Sequence, residues 1–225
     1  MPPPPPPTNK GRRLPPEPLT EVEVDALLRA ASPRSASGLR MRGLIAVMYG
    51  AGLRIAEALA LMPRDVDLAA GTIRVRHGKG DKSRTVGIDP RSAALLQAWI
   101  DRRARYGLTH RHPVFATITR GMAGGKTVAP GQPLNPRQVR AALNRLAARA
   151  GITKRVHPHG LRHSLAFRLA QSGVPTHIIQ AQLGHASLAV TDRYVRHLAP
   201  LAVVDVMRSQ TWGADRSSST TPPSE

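Results

Sequence analysis

Four short segments of this 225-residue chain carry residue types suited to phosphoryl transfer. They are Gly52-Leu53-Arg54-Ile55-Ala56-Glu57, His77-Gly78-Lys79-Gly80-Asp81-Lys82-Ser83-Arg84, His159-Gly160-Leu161-Arg162-His163, and Leu183-Gly184-His185, with Tyr194 nine positions after His185. Moving a phosphoryl group requires neutralised charge on the non-bridging oxygens, an in-line nucleophile and a protonated leaving group. A guanidinium fork matches two phosphate oxygens, which suits Arg54 and Arg162 to the first task. Tyrosine has a reference pKa of about 10, so Tyr194 needs a base or a cationic field to attack at neutral pH. His159 and the two arginines supply both. Lys79, on a glycine-flanked turn, can protonate a departing oxygen. His185 can hydrogen-bond a phosphate oxygen.

Each residue also has a plainer reading. Arg54 is spaced to form an ion pair with Glu57, and Glu57 reads as a structural residue that orients Arg54. Lys79 alone would be a solvated loop lysine, and Tyr194 alone a half-buried core aromatic. His159 and His163 have an i, i+4 spacing compatible with zinc, but no carboxylate or cysteine stands close by and Arg162 would put a positive charge beside the metal. His163 reads as a packing or supporting residue. Gly78-Lys79-Gly80 lacks the spacing of a nucleotide-binding phosphate loop. No cofactor and no metal are expected, and no small-molecule substrate.

The segments must be held by a mainly helical chain. Thr20 and Glu23 form a capping box that predicts a helix through Ala31. A second helix is predicted from about Gly38 to Tyr49, broken by Gly50 and Gly52, with a short helix from near Arg54 to Pro63. Thr72–His77 and Ser83–Ile88 alternate with period two, which predicts a β-hairpin turning through Gly78–Lys82. A helix follows from Pro90 to about Arg105. Thr119–Pro133, rich in Gly and Pro, reads as a flexible loop. Asn135 and Pro136 open a helix whose stripe is Val139, Leu143, Leu146 and Ala150. Arg137, Arg140 and Asn144 fall on its other side. Helices over Gly160–Ser172 and Thr176–Leu183 come next, then a short one leading to Tyr194 and an amphipathic piece over Pro200–Arg208.

Composition narrows the partners. The chain has 33 Lys and Arg against 14 Asp and Glu, a formal net charge of +19. That surplus favours a polyanion, nucleic acid before an anionic membrane surface. With no cysteine, disulfides and thiolate chemistry are excluded. No apolar run approaches the ~20 residues of a membrane span, and no signal-peptide core opens the chain. The expected location is the cytoplasm. Six consecutive prolines, Pro2–Pro7, begin a leader expected to be extended or disordered over residues 1–18. The Ser- and Thr-rich stretch 209–225 reads as a loose tail.

In their order and in the His185-to-Tyr194 spacing, the four segments resemble the tyrosine recombinase family of the phage-integrase type. The resemblance covers residues 19–208 and implies an α+β, mainly α fold: a helical catalytic domain of the DNA breaking-rejoining type with a small antiparallel β-hairpin or sheet. It implies six catalytic residues, Arg54, Lys79, His159, Arg162, His185 and Tyr194. Tyr194 would attack a DNA phosphate and remain linked to the 3′ phosphate while a 5′ hydroxyl leaves. The partner would be double-stranded DNA, and relatives act as tetramers on two duplexes. The alternatives are a silent DNA-binding relative that regulates a recombination site, and a topoisomerase sharing the same chemistry. Members of the family usually carry a further helical DNA-binding domain ahead of the catalytic one, where this chain has its Pro-rich leader. The expectation is therefore a minimal recombinase, a remnant or a fragment of a longer protein.

Overall fold

The computed structural model describes residues 17–76, 83–123 and 126–184. The chain order is α1 (Glu21–Ala30), α2 (Ala36–Tyr49), α3 (Ile55–Leu59), β1 (Val66–Asp67), β2 (Thr72–Val75), β3 (Arg84–Gly87), α4 (Pro90–Arg103), β4 (Gly121–Ala123), β5 (Lys126–Val128), α5 (Pro136–Arg149), α6 (Pro158–Gln171) and α7 (Thr176–Leu183). The fold is mainly helical, as the sequence predicts, and its small antiparallel sheet has the order β1-β2-β3.

Helix α2 is the centre of the packing. Leu44, Ile45, Val47 and Met48 are all buried, so the helix is apolar around most of its circumference and must be enclosed. It packs mainly on α4, where Gly43 lets the two backbones come close: a Cβ there would lie 3.3 Å from Trp99 Cβ. Trp99 is buried and donates its indole N–H to the Val114 carbonyl at 2.8 Å, which satisfies its one polar group inside the core.

The helix starts follow local chemistry. The Thr20 hydroxyl accepts from Glu23 N (3.2 Å) and the Glu23 carboxylate accepts from Thr20 N (2.7 Å), the predicted capping box. Asn135 Oδ1 accepts from Arg137 N at 2.8 Å, with Pro136 at the first helical position of α5. Helix α2 starts two residues before the predicted point, because the Ser35 hydroxyl caps it by accepting from Gly38 N.

The sheet follows the period-two pattern. Ile73 pairs with Val86, and both are buried along with Val75. The alternation also turns Arg84 to the same inner side as Val86, with Thr85 and Gly87 exposed. Helix α7 closes the free edge of β3. The Gln182 side chain accepts from Gly87 N (3.0 Å) and donates to Gly87 O (2.7 Å) and Ala51 O (3.1 Å). One amide thereby pairs an edge strand and ties it to the loop that precedes Arg54.

One expectation is corrected. Residues Thr119–Pro133 are not a plain loop: β4 and β5 pair in register, Gly121 with Val128 and Ala123 with Lys126. Below this hairpin, Thr117 N donates to Gln132 O and Gly131 N to Thr117 O, so the backbone groups of the segment find partners with one another. The sheet likewise gains a third strand, β1, absent from the prediction. Among the described residues no helix is long and apolar enough to cross a membrane.

Candidate active site

Arg54 is the residue on which α3 begins. The preceding Gly52 has φ +72°, a conformation open to glycine at little cost, and it lets the chain turn sharply out of α2. Glu57, three residues into the helix, folds back so that its Oε2 accepts from Arg54 N (2.8 Å) while Oε1 accepts from Arg54 Nη1 (2.7 Å). The same carboxylate therefore caps the helix and aims the guanidinium. Arg54 Nη2 reaches the Gly184 carbonyl at 3.1 Å, and the side chain keeps 30 % of its surface exposed.

Glu57 holds a second arginine. Arg84 Nη1 donates to Oε1 and Arg84 Nη2 to Oε2, each at 2.9 Å, a bidentate fork. Burial alone would raise the Glu57 pKa. The hydrogen bonds from Arg84 and from the backbone and side chain of Arg54 outweigh that and hold it down at about 2.

Arg162 comes from the second turn of α6 and is 2 % exposed. Its Nη1 donates to the Gly52 carbonyl and its Nη2 to the Leu183 carbonyl. Burial, then the neighbouring charge of Arg54, brings its pKa down to about 9, so it is still a cation at neutral pH. The guanidinium groups of Arg54 and Arg162, 108 positions apart in sequence, thus sit on the consecutive carbonyls of Gly184 and Leu183 at the C-terminus of α7. Those carbonyls lack partners within their helix and form the negative end of its dipole, so two cations there are favourable.

Helix α6 also presents His159. Its ring meets that of His163 edge to face, with centroids 3.9 Å apart. Lost hydration, then the charges of Arg162, His157 and Arg54, lowers the His159 pKa below its ordinary value and favours the neutral imidazole, the form able to accept a proton. The helix starts at Pro158, two residues earlier than predicted, because His157 is its cap: Nδ1 accepts from Gly160 N at 2.9 Å.

Of the six residues predicted from the sequence, the structure brings Arg54 and Arg162 onto one helix end, with His159 one turn from Arg162. Lys79, His185 and Tyr194 lie outside the described residues. Their attachment points are described. The segment with Lys79 joins β2 to β3, and Gly184, with φ +60°, immediately precedes His185. The sequence reading missed Arg84. Its signal was present: a basic residue two places before Val86 lies on the inner face of the strand, where it must find a buried acid. The pairing of Arg54 with Glu57, read from sequence as the plainer alternative, is present together with the contact to Gly184 rather than instead of it.

Arg137, Arg140 and Asn144 are exposed on α5, opposite the buried Val139, Leu143 and Leu146. Among the described residues no group of three or more His, Cys, Asp or Glu side chains is arranged to hold a metal ion.

Comparison with known proteins agrees with this geometry. The model of the phage integrase family matches residues 17–200. The chain is 39 % identical over 180 residues to tyrosine recombinase XerD of Xanthomonas axonopodis pv. citri, covering 80 % of this chain and 58 % of that protein. It is 34 % identical over 192 residues to tyrosine recombinase XerC of Myxococcus xanthus, covering 83 % of this chain and 61 % of the relative. The chain therefore spans less than two thirds of the length of these curated relatives. Among solved structures, XerA recombinase superposes with a TM-score of 0.69 at 28 % identity, covering 88 % of this chain and 67 % of that one. The catalytic domain of bacteriophage HP1 integrase shares the fold, with a TM-score of 0.52 over 85 % of this chain and 94 % of that domain. On the match of the family model to most of its length, and with its fold, this chain belongs to the phage integrase family.

Proposed function

We propose that this chain carries the strand-cleaving domain of a site-specific DNA recombinase or integrase, with residues 19–208 as the catalytic unit and double-stranded DNA as partner. The observation that carries the reading is the convergence of Arg54 and Arg162 on the Leu183 and Gly184 carbonyls, one residue before His185. Two guanidinium groups held together with a neutral histidine nearby form a receptor for one phosphate anion. XerH, solved with its palindromic difH substrate in a post-cleavage complex, is 26 % identical with a TM-score of 0.66, which supports DNA as the ligand.

In the proposed reaction the Tyr194 oxygen attacks a backbone phosphorus. The P–O5′ bond breaks, its electron pair goes to O5′, and Lys79 supplies the proton to that oxygen. Arg54, Arg162 and His185 take the charge of the non-bridging oxygens, and His159 accepts the tyrosine proton. The 3′-phosphotyrosine keeps the energy of the broken bond, so a 5′ hydroxyl of another strand reseals it without ATP. Exchange between two duplexes requires one such site per cleaved strand, which fits a tetramer of this chain on two duplexes. A protein acting on chromosomal or phage DNA would work in the cytoplasm.

The test is a nicked suicide duplex taken from the DNA that flanks the gene. The native chain is expected to form a covalent adduct that survives denaturation, and Tyr194→Phe to form none. Equal trapping by Tyr194→Phe would overturn the assignment. A mobility shift without adduct would make the chain a DNA-binding regulator, and relaxation of supercoils without a defined site would make it a topoisomerase.

A further inference from the structure

Arg84 is in contact with two residues, Glu57 and Gly184, on which the proposed chemistry depends. It stands at the head of β3, five residues after Lys79 in the sequence. It grips Glu57, which in turn holds Arg54. Its side chain also lies against Gly184, where an added Cβ would be 2.7 Å from Arg84 Nε and 2.8 Å from Cδ. The side chain is 14 % exposed and Glu57 only 3 %.

The stoichiometry of this cluster is unusual for a purely structural contact. One carboxylate satisfies one guanidinium, yet Glu57 serves two, and Arg162 stands near enough to feel its charge. A buried ion pair is weak evidence for stability, and a surplus cation costs folding energy until an anion arrives. The lone pairs of Glu57 are also fully used. Oε1 accepts from Arg54 Nη1 and Arg84 Nη1, and Oε2 from Arg54 N and Arg84 Nη2. While Arg84 occupies its half, Glu57 takes only one side-chain N–H of Arg54 and leaves Nη2 directed at the α7 end. Without Arg84 the carboxylate is free to turn both oxygens on Arg54. Arg54 would then be neutralised and drawn away from the position where a phosphate would dock.

We propose that Arg84 is a positioning residue for strand cleavage, which sets the Arg54 fork by saturating Glu57 and braces the Gly184 turn that leads into His185. The inference rests on the reading of Arg54 and His185 as phosphate ligands. Arg84 itself touches no reacting atom, so its effect belongs to the chemical step more than to DNA affinity.

The experiment is single-turnover cleavage of the nicked duplex by the full chain, with DNA affinity and thermal melting measured alongside. Arg84→Ala is expected to slow cleavage by about 100-fold, with affinity changed by less than about threefold. Arg84→Lys keeps the charge but not the fork, and should recover about a tenth of the native rate. Because Arg84→Ala removes a buried bidentate fork from Glu57 and can fail to fold, the Glu57→Gln/Arg84→Ala double variant removes both charges together. If Arg84 acts through Glu57, adding Arg84→Ala to Glu57→Gln slows cleavage by less than about threefold further, a coupling that a general packing role would not produce. A native chain that cleaves, with folded Arg84 variants that cleave as fast or with effects that add in full, overturns the proposal. A native chain that forms no adduct overturns the functional reading itself, and this inference with it.

Discussion

Glu57 bears one negative charge between two guanidinium groups, with a third nearby, and that imbalance sets how the site behaves in acid. Its folded pKa of about 2 lies below the ordinary 4.5. A depressed carboxylate pKa contributes stability that is complete above the unfolded value and is lost as pH falls through the folded one. The window here runs from about pH 4.5 down to about 2, and the shift corresponds to about 3 kcal/mol. Glu57→Gln should therefore be less stable than the native chain by about that amount at pH 6, and the gap should narrow toward pH 2. Denaturant unfolding at the two pH values measures it, and a gap that stays constant would show that Glu57 is not held ionised by its arginines. At this scale much was legible. Arg54 and Arg162 announce themselves by their motifs, and Glu57 by its i+3 spacing. Arg84 was hidden because its partner lies 27 positions away, and a strand pattern says which way a side chain points without saying what it meets.

The elements meet at small residues, and the turn before α3 is one of the tight junctions. At Gly52 an added Cβ would be 2.6 Å from Leu183 Cδ2 and 2.9 Å from Leu165 Cδ2, with φ at +72°. Gly151 has a similar φ of +67°, but nothing within 4 Å. The pair separates backbone strain from packing. Gly151→Ala should cost about 1 kcal/mol, the left-handed penalty alone. Gly52→Ala should cost about 3 kcal/mol, because it also drives α3 away from α6 and α7, and it should weaken cleavage by moving the carbonyl that Arg162 binds. Equal melting temperatures for the two variants would show that the junction yields freely. The helices themselves were readable because caps act locally: Thr20, Ser35 and Asn135 each bond a backbone N–H two or three residues away. The sequence predicts a loop where β4 and β5 pair, although the dipeptide Gly124-Gly125 is of a type that favours hairpins. A high Gly and Pro content masked that signal.

For the molecule as a whole, a net charge of +19 makes affinity for a polyanion almost unavoidable, so the useful question is where it is concentrated. The exposed face of α5, with Arg137, Arg140 and Asn144, is the candidate surface for the duplex. Replacing all three by Ala should weaken binding to unrelated duplexes and reduce the slope of log affinity against log salt by about 0.9 for each phosphate that the face neutralises. Titrations at several salt concentrations test this, and an unchanged slope would mean that the face is merely solvated. The whole-molecule picture also explains the sparse aromatic content, 3 % of residues: the core is built around Leu, Ile, Val and Met of α2, with Trp99 and Phe115 as its large buried rings.

Sequence alone determined the family, the mainly helical class and the hairpin of β2 and β3, and it named the candidate site residues. These rest on local spacing, on periodicity and on motif order, all of which are properties of a linear chain. Only the tertiary structure decided that Arg54 and Arg162 share the carbonyl end of α7, that Glu57 is divided between Arg54 and Arg84, and that Gln182 stitches α7 to the sheet edge. Each of those facts joins residues far apart in the chain. Which distant donor satisfies a given buried acceptor is settled by how the elements pack, since a charge enclosed in the core takes the partner that the fold places beside it.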